Sequence, residues 1–351
     1  MKEFGSDFHR CDHDFRGASN YLDELGDVRF YASGRHALDA IVKFGGWKRI
    51  WMPAYFCYEI IGHIKSTGID VELYDDCPLN DRDNEVVRNL PYKKGDVLLR
   101  TDYFGMRERR INEGVCVPVI EDHTHGLITA WALKSDADWC IASLRKSLPV
   151  AAGGILWSPK NKALPQRLQP SAECMEMAKI RYKAMDMKAA YLKTQYASNE
   201  EDNQAKDDFR RKFIQSEEMI ENLVMSGIDP ESEEIVRGLN IKQWTDLKSD
   251  NWRILVKMLD KRFRVLGSER GDYWHPFSLV LLMESAEERE ALRKYMVQHK
   301  IYPAILWRMP ENSGFAEAKD FSERMLSVHC DIRYNREAIV DMCKILNSFY
   351  D

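Results

Sequence analysis

Three short segments hold side chains whose types and spacing could form a chemical site. In the first, Ser33-Gly34-Arg35 lies between an apolar strand pattern and a helical one. Backbone N–H groups at a helix start favour an anion such as phosphate, and glycine lets the backbone come close to it. Taken alone, the same residues describe a helix capped by serine. In the second, Val119-Ile120-Glu121-Asp122-His123-Thr124-His125-Gly126, an apolar strand delivers a carboxylate to its C-terminal end. Ligands of open α/β sheets sit there, so Asp122 is placed to pair with a cationic ring nitrogen and His125 to pack on that ring. A competing reading makes Asp122, His123 and His125 metal ligands, because an HxH at a strand end puts both imidazoles on one face. No HExxH helix or further histidine motif supports it.

The third segment, Ile141 to Gly154, sets Lys146 between one strand and a glycine pair, Gly153-Gly154, that opens the next. Burial and the adjacent Arg145 would lower the lysine's pKa, and a neutral amine forms a Schiff base with an aldehyde. A solvated surface lysine is the plainer alternative. Together, an anion-binding turn, a carboxylate for a ring nitrogen and an imine-forming lysine are what pyridoxal phosphate requires, and they occur in chain order.

The elements that must position these groups alternate. Strand patterns cover 28–31, 49–52, 71–74, 97–100, 117–120, 139–142 and 154–157, with helices at 36–43 and 58–65, which predicts an α/β layer with a largely parallel sheet. From Ser171 to about Val224 the chain has almost no glycine or proline and reads as long helices with a polar break near 198–208. Gly227-Ile228-Asp229-Pro230 is a breaker. It divides a large α/β domain (1–226) from a smaller α+β domain (227–351). In the latter, helices are expected at 251–266, 286–299 and 336–349, and strands at 278–283, 301–305 and 325–329.

The bulk properties fit. The chain has 351 residues, enough for about two domains at roughly 150 residues each. Hydrophobic residues make up 44% and charged ones 30%, which excludes a disordered or fibrous chain. A net charge of −5 gives no electrostatic reason to expect nucleic acid or an anionic membrane as partner. The eight cysteines form no CxxC pair, and the N-terminus lacks the apolar stretch of a signal peptide. A cytoplasmic protein without a membrane span is expected.

The order and local sequences of these segments resemble the DegT/DnrJ/StrS family of pyridoxal-phosphate sugar aminotransferases, of fold type I (aspartate aminotransferase-like). Ser33-Gly34-Arg35-His36-Ala37-Leu38 is similar to the family's SGTxAL turn, and Met52-Pro53-Ala54-Tyr55-Phe56-Cys57 to its PxxTF/W segment. Glu121-Asp122-His123-Thr124-His125 resembles EDxAQ or EDxAH. Ser143-Leu144-Arg145-Lys146 through Gly153-Gly154 resembles the SxxxxK…GG segment, and Leu326-Ser327-Val328-His329 the LSLPxH strand.

The resemblance implies that Lys146 binds the cofactor covalently, that Asp122 contacts its pyridine nitrogen, and that Ser33, Gly34, Arg35 and Ser143 hold its phosphate. His125 would lie at its hydroxyl or face, and Phe56 or Cys57, with Tyr58 beside them, would cover the ring. The resemblance also implies transfer of an amino group from an amino acid, glutamate by analogy, to a keto-sugar, with a homodimeric assembly. Arg308, Arg333 and Arg145 are candidates for the donor carboxylate, and His329 for the pocket wall. Arg35 stands where the family has a small hydroxyl residue, so a guanidinium is expected to reach the phosphate too. A non-catalytic, regulatory relative and a metal-dependent hydrolase are the alternatives.

Overall fold

The computed structural model describes residues 3–5, 7–11, 16–17, 21–194, 200–268 and 275–351, excepting the side chains of 200–202. Its elements in chain order are β1 (Phe4–Gly5), β2 (Val28–Tyr31), α1 (Gly34–Gly45), β3 (Arg49–Pro53), α2 (Tyr58–Ser66), β4 (Asp70–Tyr74), α3 (Asp83–Arg88), β5 (Asp96–Thr101), β6 (Val119–Asp122), α4 (Ala130–Leu133), β7 (Trp139–Ser143) and β8 (Gly154–Trp157). There follow α5 (Ala172–Lys193), α6 (Glu200–Asn222), α7 (Pro230–Gly238), α8 (Ile241–Met258), β9 (Leu279–Leu282), α9 (Ala286–Gln298), β10 (Ile301–Tyr302), α10 (Ala316–Arg324), β11 (Met325–Val328) and α11 (Arg336–Asn347).

Seven strands form the main sheet in the order β2-β8-β7-β6-β5-β3-β4. Strands β3 to β7 are mutually parallel, while β8 is antiparallel to both its neighbours, β7 and β2. Strand β2 therefore points the same way as β7. The C-terminal ends of β2, β3, β5, β6 and β7 open on one edge, together with the start of β8. This is the mostly parallel α/β sheet that the strand–helix alternation predicts.

Side chains of successive strand residues go to opposite faces, and both faces are covered. Trp51, Leu98, Val119, Cys140 and Trp157 pack on one side with Met177, Tyr182 and Trp244. Ile50, Met52, Leu99, Ile120, Ile141 and Leu156 pack on the other with Leu38, Ile41 and Ile64. A separate core gathers Leu255, Leu279, Leu281, Leu292, Leu326, Ile339 and Leu346 around the antiparallel pair β9–β11. Phe4 joins this core too, because β1 pairs with β10. A fourth cluster fastens this part to the sheet edge, with Tyr55, Tyr103 and Phe104 against Val280, Phe321 and Met325. Packing passes from the first core to the second along α8, with Trp244 in one and Trp252 in the other. That point lies downstream of the breaker at 227–230.

Several elements differ from the sequence expectation. Strand β6 runs over 119–122 rather than 117–120, so Asp122 ends the strand. The helix expected at 251–266 is α8, which starts at Ile241 behind the N-cap Asn240, whose side chain accepts from Gln243 N. The residues after it form turns around a single bridge, Val265 to Leu281, where Leu266 N donates to Val280 O and Leu282 N to Arg264 O. Residues 200–208 of the expected polar break are helical, part of α6, whereas 198–199 lie outside the described residues. The strand expected at 301–305 spans only 301–302. Helices α3, α7 and α10 are short, of six, nine and nine residues, and escape the pattern reading.

The glycine pair before β8 is needed for close approach. A Cβ on Gly154 would lie 2.0 Å from Ser33 O, and one on Gly34 would lie 2.7 Å from Ser143 Cβ. Gly154→Ala is expected to cost about 1–3 kcal/mol by overpacking backbone that cannot yield. Thermal unfolding should show a lower midpoint than for an alanine at Gly62, a helical glycine with nothing within 4 Å of its would-be Cβ.

Candidate active site

A cavity of about 210 Å³ opens at the edge where the strand ends meet. Its lining includes every residue the sequence assigns to cofactor binding: Ser33, Gly34, Arg35, Phe56, Cys57, Asp122, His125, Ser143 and Lys146. Widely separated segments are thus brought together by the sheet register alone.

Lys146 ends a short 3-10 turn, Leu144–Lys146, that leaves β7. Its side chain is open to the cavity, while protein surrounds the amine on most sides. Burial, followed by the neighbouring Arg145, pushes its pKa below the usual lysine value, with Glu217 and Cys57 opposing more weakly. Among the described residues it has no hydrogen-bond or ion-pair partner. Of the lysine readings, this environment matches the depressed, reactive amine rather than the solvated cation.

Asp122 stands at the end of β6 with its carboxylate 9% exposed. Its Oδ1 accepts from Thr124 N at 2.8 Å, and it has no ion pair among the described residues. Burial raises its pKa, and the Thr124 bonds and His123 only partly offset this. A cation delivered into the cavity would supply the missing counter-charge. His125 is stacked, with Phe277 at 4.1 Å and Trp307 at 5.2 Å between ring centroids. Its Nδ1 accepts from Phe104 N at 3.4 Å. Burial, then Lys146 and Lys248, bring its pKa down to about 3, so the ring is neutral and aromatic.

The metal reading fails on strand periodicity. Glu121 and His123 face away from Asp122, into a sealed polar cluster where His123 Nε2 lies 3.1 Å from Glu121 Oε2. His123 sits against Trp131 and Trp157, while His125 sits against Phe277. The two imidazoles therefore lie apart: His125 lines the cavity with Asp122, and His123 does not.

At the anion end, Ser33 caps α1 by accepting from His36 N at 3.2 Å. The first amides of that helix face the strand end at Ser143. Ser143 N donates to Thr124 Oγ1 at 3.0 Å, so Thr124 ties the lysine turn to the carboxylate loop. The guanidinium expected at the phosphate is otherwise engaged. Arg35 Nη2 donates to Ile220 O at 2.7 Å and Glu221 O at 2.9 Å, at the end of α6. Its contribution to the turn is its backbone.

The proposed substrate residues do not join this group. Arg308 is exposed and outside the lining. Arg333 forms a buried bidentate pair with Asp331, at 2.7 and 2.8 Å, and bonds Asp7 O. His329 lies beside that pair, and burial brings its pKa down to about 4. Of the arginines considered, Arg145 alone shares the cavity with Lys146. Tyr58 is not in the lining, and its hydroxyl donates to Ala54 O. Residues without a sequence signal complete the wall: Glu217 and Ile220 of α6, and Phe277, Leu306 and Trp307 from beyond α8. They arrive through long-range contacts, and no local motif marks them.

No protein-family model matches this chain, and no curated protein sequence does. Solved structures match over nearly its whole length. PseC of Helicobacter pylori, an aminotransferase involved in the biosynthesis of pseudoaminic acid, is 11% identical with a TM-score of 0.64, covering 99% of both chains. Spr1654 of Streptococcus pneumoniae, in its PLP form, is 12% identical with a TM-score of 0.63, covering 99% of this chain and 98% of its own. A DegT/DnrJ/EryC1/StrS aminotransferase of Brucella abortus is 13% identical with a TM-score of 0.58, covering 95% and 91%. The chain therefore has the fold of the fold type I, pyridoxal-phosphate-dependent aminotransferases.

The buried histidine makes stability pH-dependent. Burial brings folded His125 down to about 3, whereas an exposed histidine sits near 6.5, so between these values the unfolded chain binds more protons. Its contribution is complete above pH 6.5 and falls away as pH drops towards 3. Denaturant unfolding at a series of pH values should show a shallower acid loss in His125→Phe, by a few kcal/mol at most. Equal slopes in the two proteins would contradict this.

Proposed function

We propose that this protein is a pyridoxal-phosphate-dependent aminotransferase of the DegT/DnrJ/StrS kind. It moves an amino group from an amino acid, glutamate, to a keto-sugar, a nucleotide-linked one, and works as a cytoplasmic homodimer. One observation carries the reading: an amine without an anion and a buried carboxylate without a cation line the same cavity. Each is costly to bury alone. A ligand with an electrophilic carbon at one end of a cationic heterocycle satisfies both.

The chain's residues fit that ligand. Lys146 would hold it covalently, Asp122 would pair with its ring nitrogen, and the amides after Ser33, with Ser143, would hold its phosphate. The neutral ring of His125 and the apolar Phe56 would line its faces. Bound there, pyridoxal phosphate supplies an electron-withdrawing ring that acidifies the donor's Cα–H. Lys146, its pKa lowered by burial and by Arg145, is the base placed to take that Cα proton. Asp122, held by Thr124, keeps the ring nitrogen's proton in place. Phe277, Leu306 and Trp307 keep bulk water from the same space, which strengthens each charge interaction inside.

The reading is tested by mixing purified protein with pyridoxal phosphate. An absorption band that borohydride fixes should form, be absent in Lys146→Ala, and shift on adding glutamate. Lys146→Ala should lower amino transfer by about 10²–10⁴-fold. Absence of the band in the wild type defeats the cofactor assignment. A band unmoved by any common amino donor favours the regulatory relative instead.

A further inference from the structure

One set of charges in the cavity remains without a role. Arg145 Nη2 and Arg181 Nη1 both bond Glu217 Oε1, so two guanidiniums converge on one carboxylate oxygen. Arg181 is otherwise fixed, by Asp7 at 2.8 Å and Ser216 at 3.3 Å. Arg145 is not: its Nε is buried without a hydrogen-bond partner among the described residues. Glu217 is the exposed member, with 43% of its side chain accessible against 12% for Arg145 and 8% for Arg181. Helix α6 can release that carboxylate to water by side-chain rotation alone.

The trio lies at the anion end of the cavity. Arg145 follows Ser143 by two residues, and Ser143 abuts Gly34 of the anion-binding turn. Glu217 precedes by one helical turn the Ile220 and Glu221 carbonyls that hold Arg35 of the same turn. A fixed negative charge beside such a turn opposes any anion that enters it. A guanidinium with an unused N–H favours it, since Arg pairs well with phosphate oxygens.

We propose that Arg145 is the charged arm of the anion seat at the Ser33–Gly34 turn, and that Glu217 is its built-in placeholder, displaced when a phosphate monoester arrives. The inference rests on reading the cavity as the cofactor's and adds two residues to it. The seat then selects for phosphorylated ligands twice over. The amides of α1 supply direction, and the exchange of one anion for another on Arg145 keeps that guanidinium paired in both states. A buried cation left unpaired in the empty protein would cost several kcal/mol, and Glu217 removes that cost.

The test separates the phosphate from the ring. Calorimetric titration with inorganic phosphate should give about tenfold tighter binding in Glu217→Gln than in wild type, and weaker binding in Arg145→Gln. Titration with pyridoxal phosphate and with pyridoxal, which has no phosphate, followed by absorbance, should raise the affinity ratio of the two about tenfold in Glu217→Gln and lower it in Arg145→Gln. Arg145→Lys, which keeps the charge, should restore part of it. Thermal unfolding of each variant checks that it folds. Phosphate binding that Glu217→Gln leaves unchanged or weakens overturns the proposal, since Glu217 would then orient Arg145 rather than compete with its ligand. Tighter phosphate binding with no Lys146-dependent band in any variant upholds the anion seat and rejects the aminotransferase reading.

Discussion

Strand direction is the constraint on which the site depends. Because β2, β3, β5, β6 and β7 run one way, residues from five separate stretches of chain meet at one edge. A single reversed strand, β8, returns the chain so that Gly153 and Gly154 pass against Ser33 and Leu144 with no room for a side chain. That contact closes the anion turn onto the lysine turn. The packing of α1 and α5 on the two faces supports this arrangement, and the apolar alternation in each strand fixes which residues face which layer.

Within that frame, opposite charges are kept apart. Lys146, open to the cavity, and Asp122, buried beneath it, each lack a counter-ion among the described residues, at an electrostatic cost that a stability-optimised fold would remove. Other buried charges are closely paired. Arg100 bonds Asp83 at 2.5 Å and Asn112 at 2.9 Å, and Arg107 bonds both oxygens of Asp76. Against such closely paired charges, the unpaired ones that share the cavity mark it as a place for chemistry.

Much of this was legible from residues near one another in sequence. The Ser33 cap, the strand ending at Asp122 and the Lys146 turn before a glycine pair are local signals, and each of these residues lines the cavity. Period-two burial decides between the readings of the histidines. Once β6 is known to run to Asp122, Glu121 and His123 must go to the opposite face, and the HxH spacing loses its meaning. Arg333 and His329 lie outside the cavity for another reason: the N-terminal segment folds back onto them through Asp7 and holds them in a structural cluster. Nothing local in the sequence announces a contact across some 320 residues. Trp307 and Phe277 were invisible for the same reason, since an aromatic residue carries no mark of which cavity it will cover.

Helix α6 shows how a chain can alter a shared fold without touching its central motif. The turn, the carboxylate and the lysine follow a recognisable order, yet the arginine of the turn is diverted to α6 carbonyls, and α6 also sends Glu217 to the residue before the lysine. Arg35 and Arg145 both resolve onto one helix. Two cations added to an anion-binding end would overcharge it if left free. Giving one to a helix C-terminus, where carbonyl dipoles favour it, and the other to a carboxylate keeps the empty cavity neutral enough to fold. The two arginines and the helix that holds them therefore form one electrostatic unit, in which α6 supplies the acceptors for both guanidiniums.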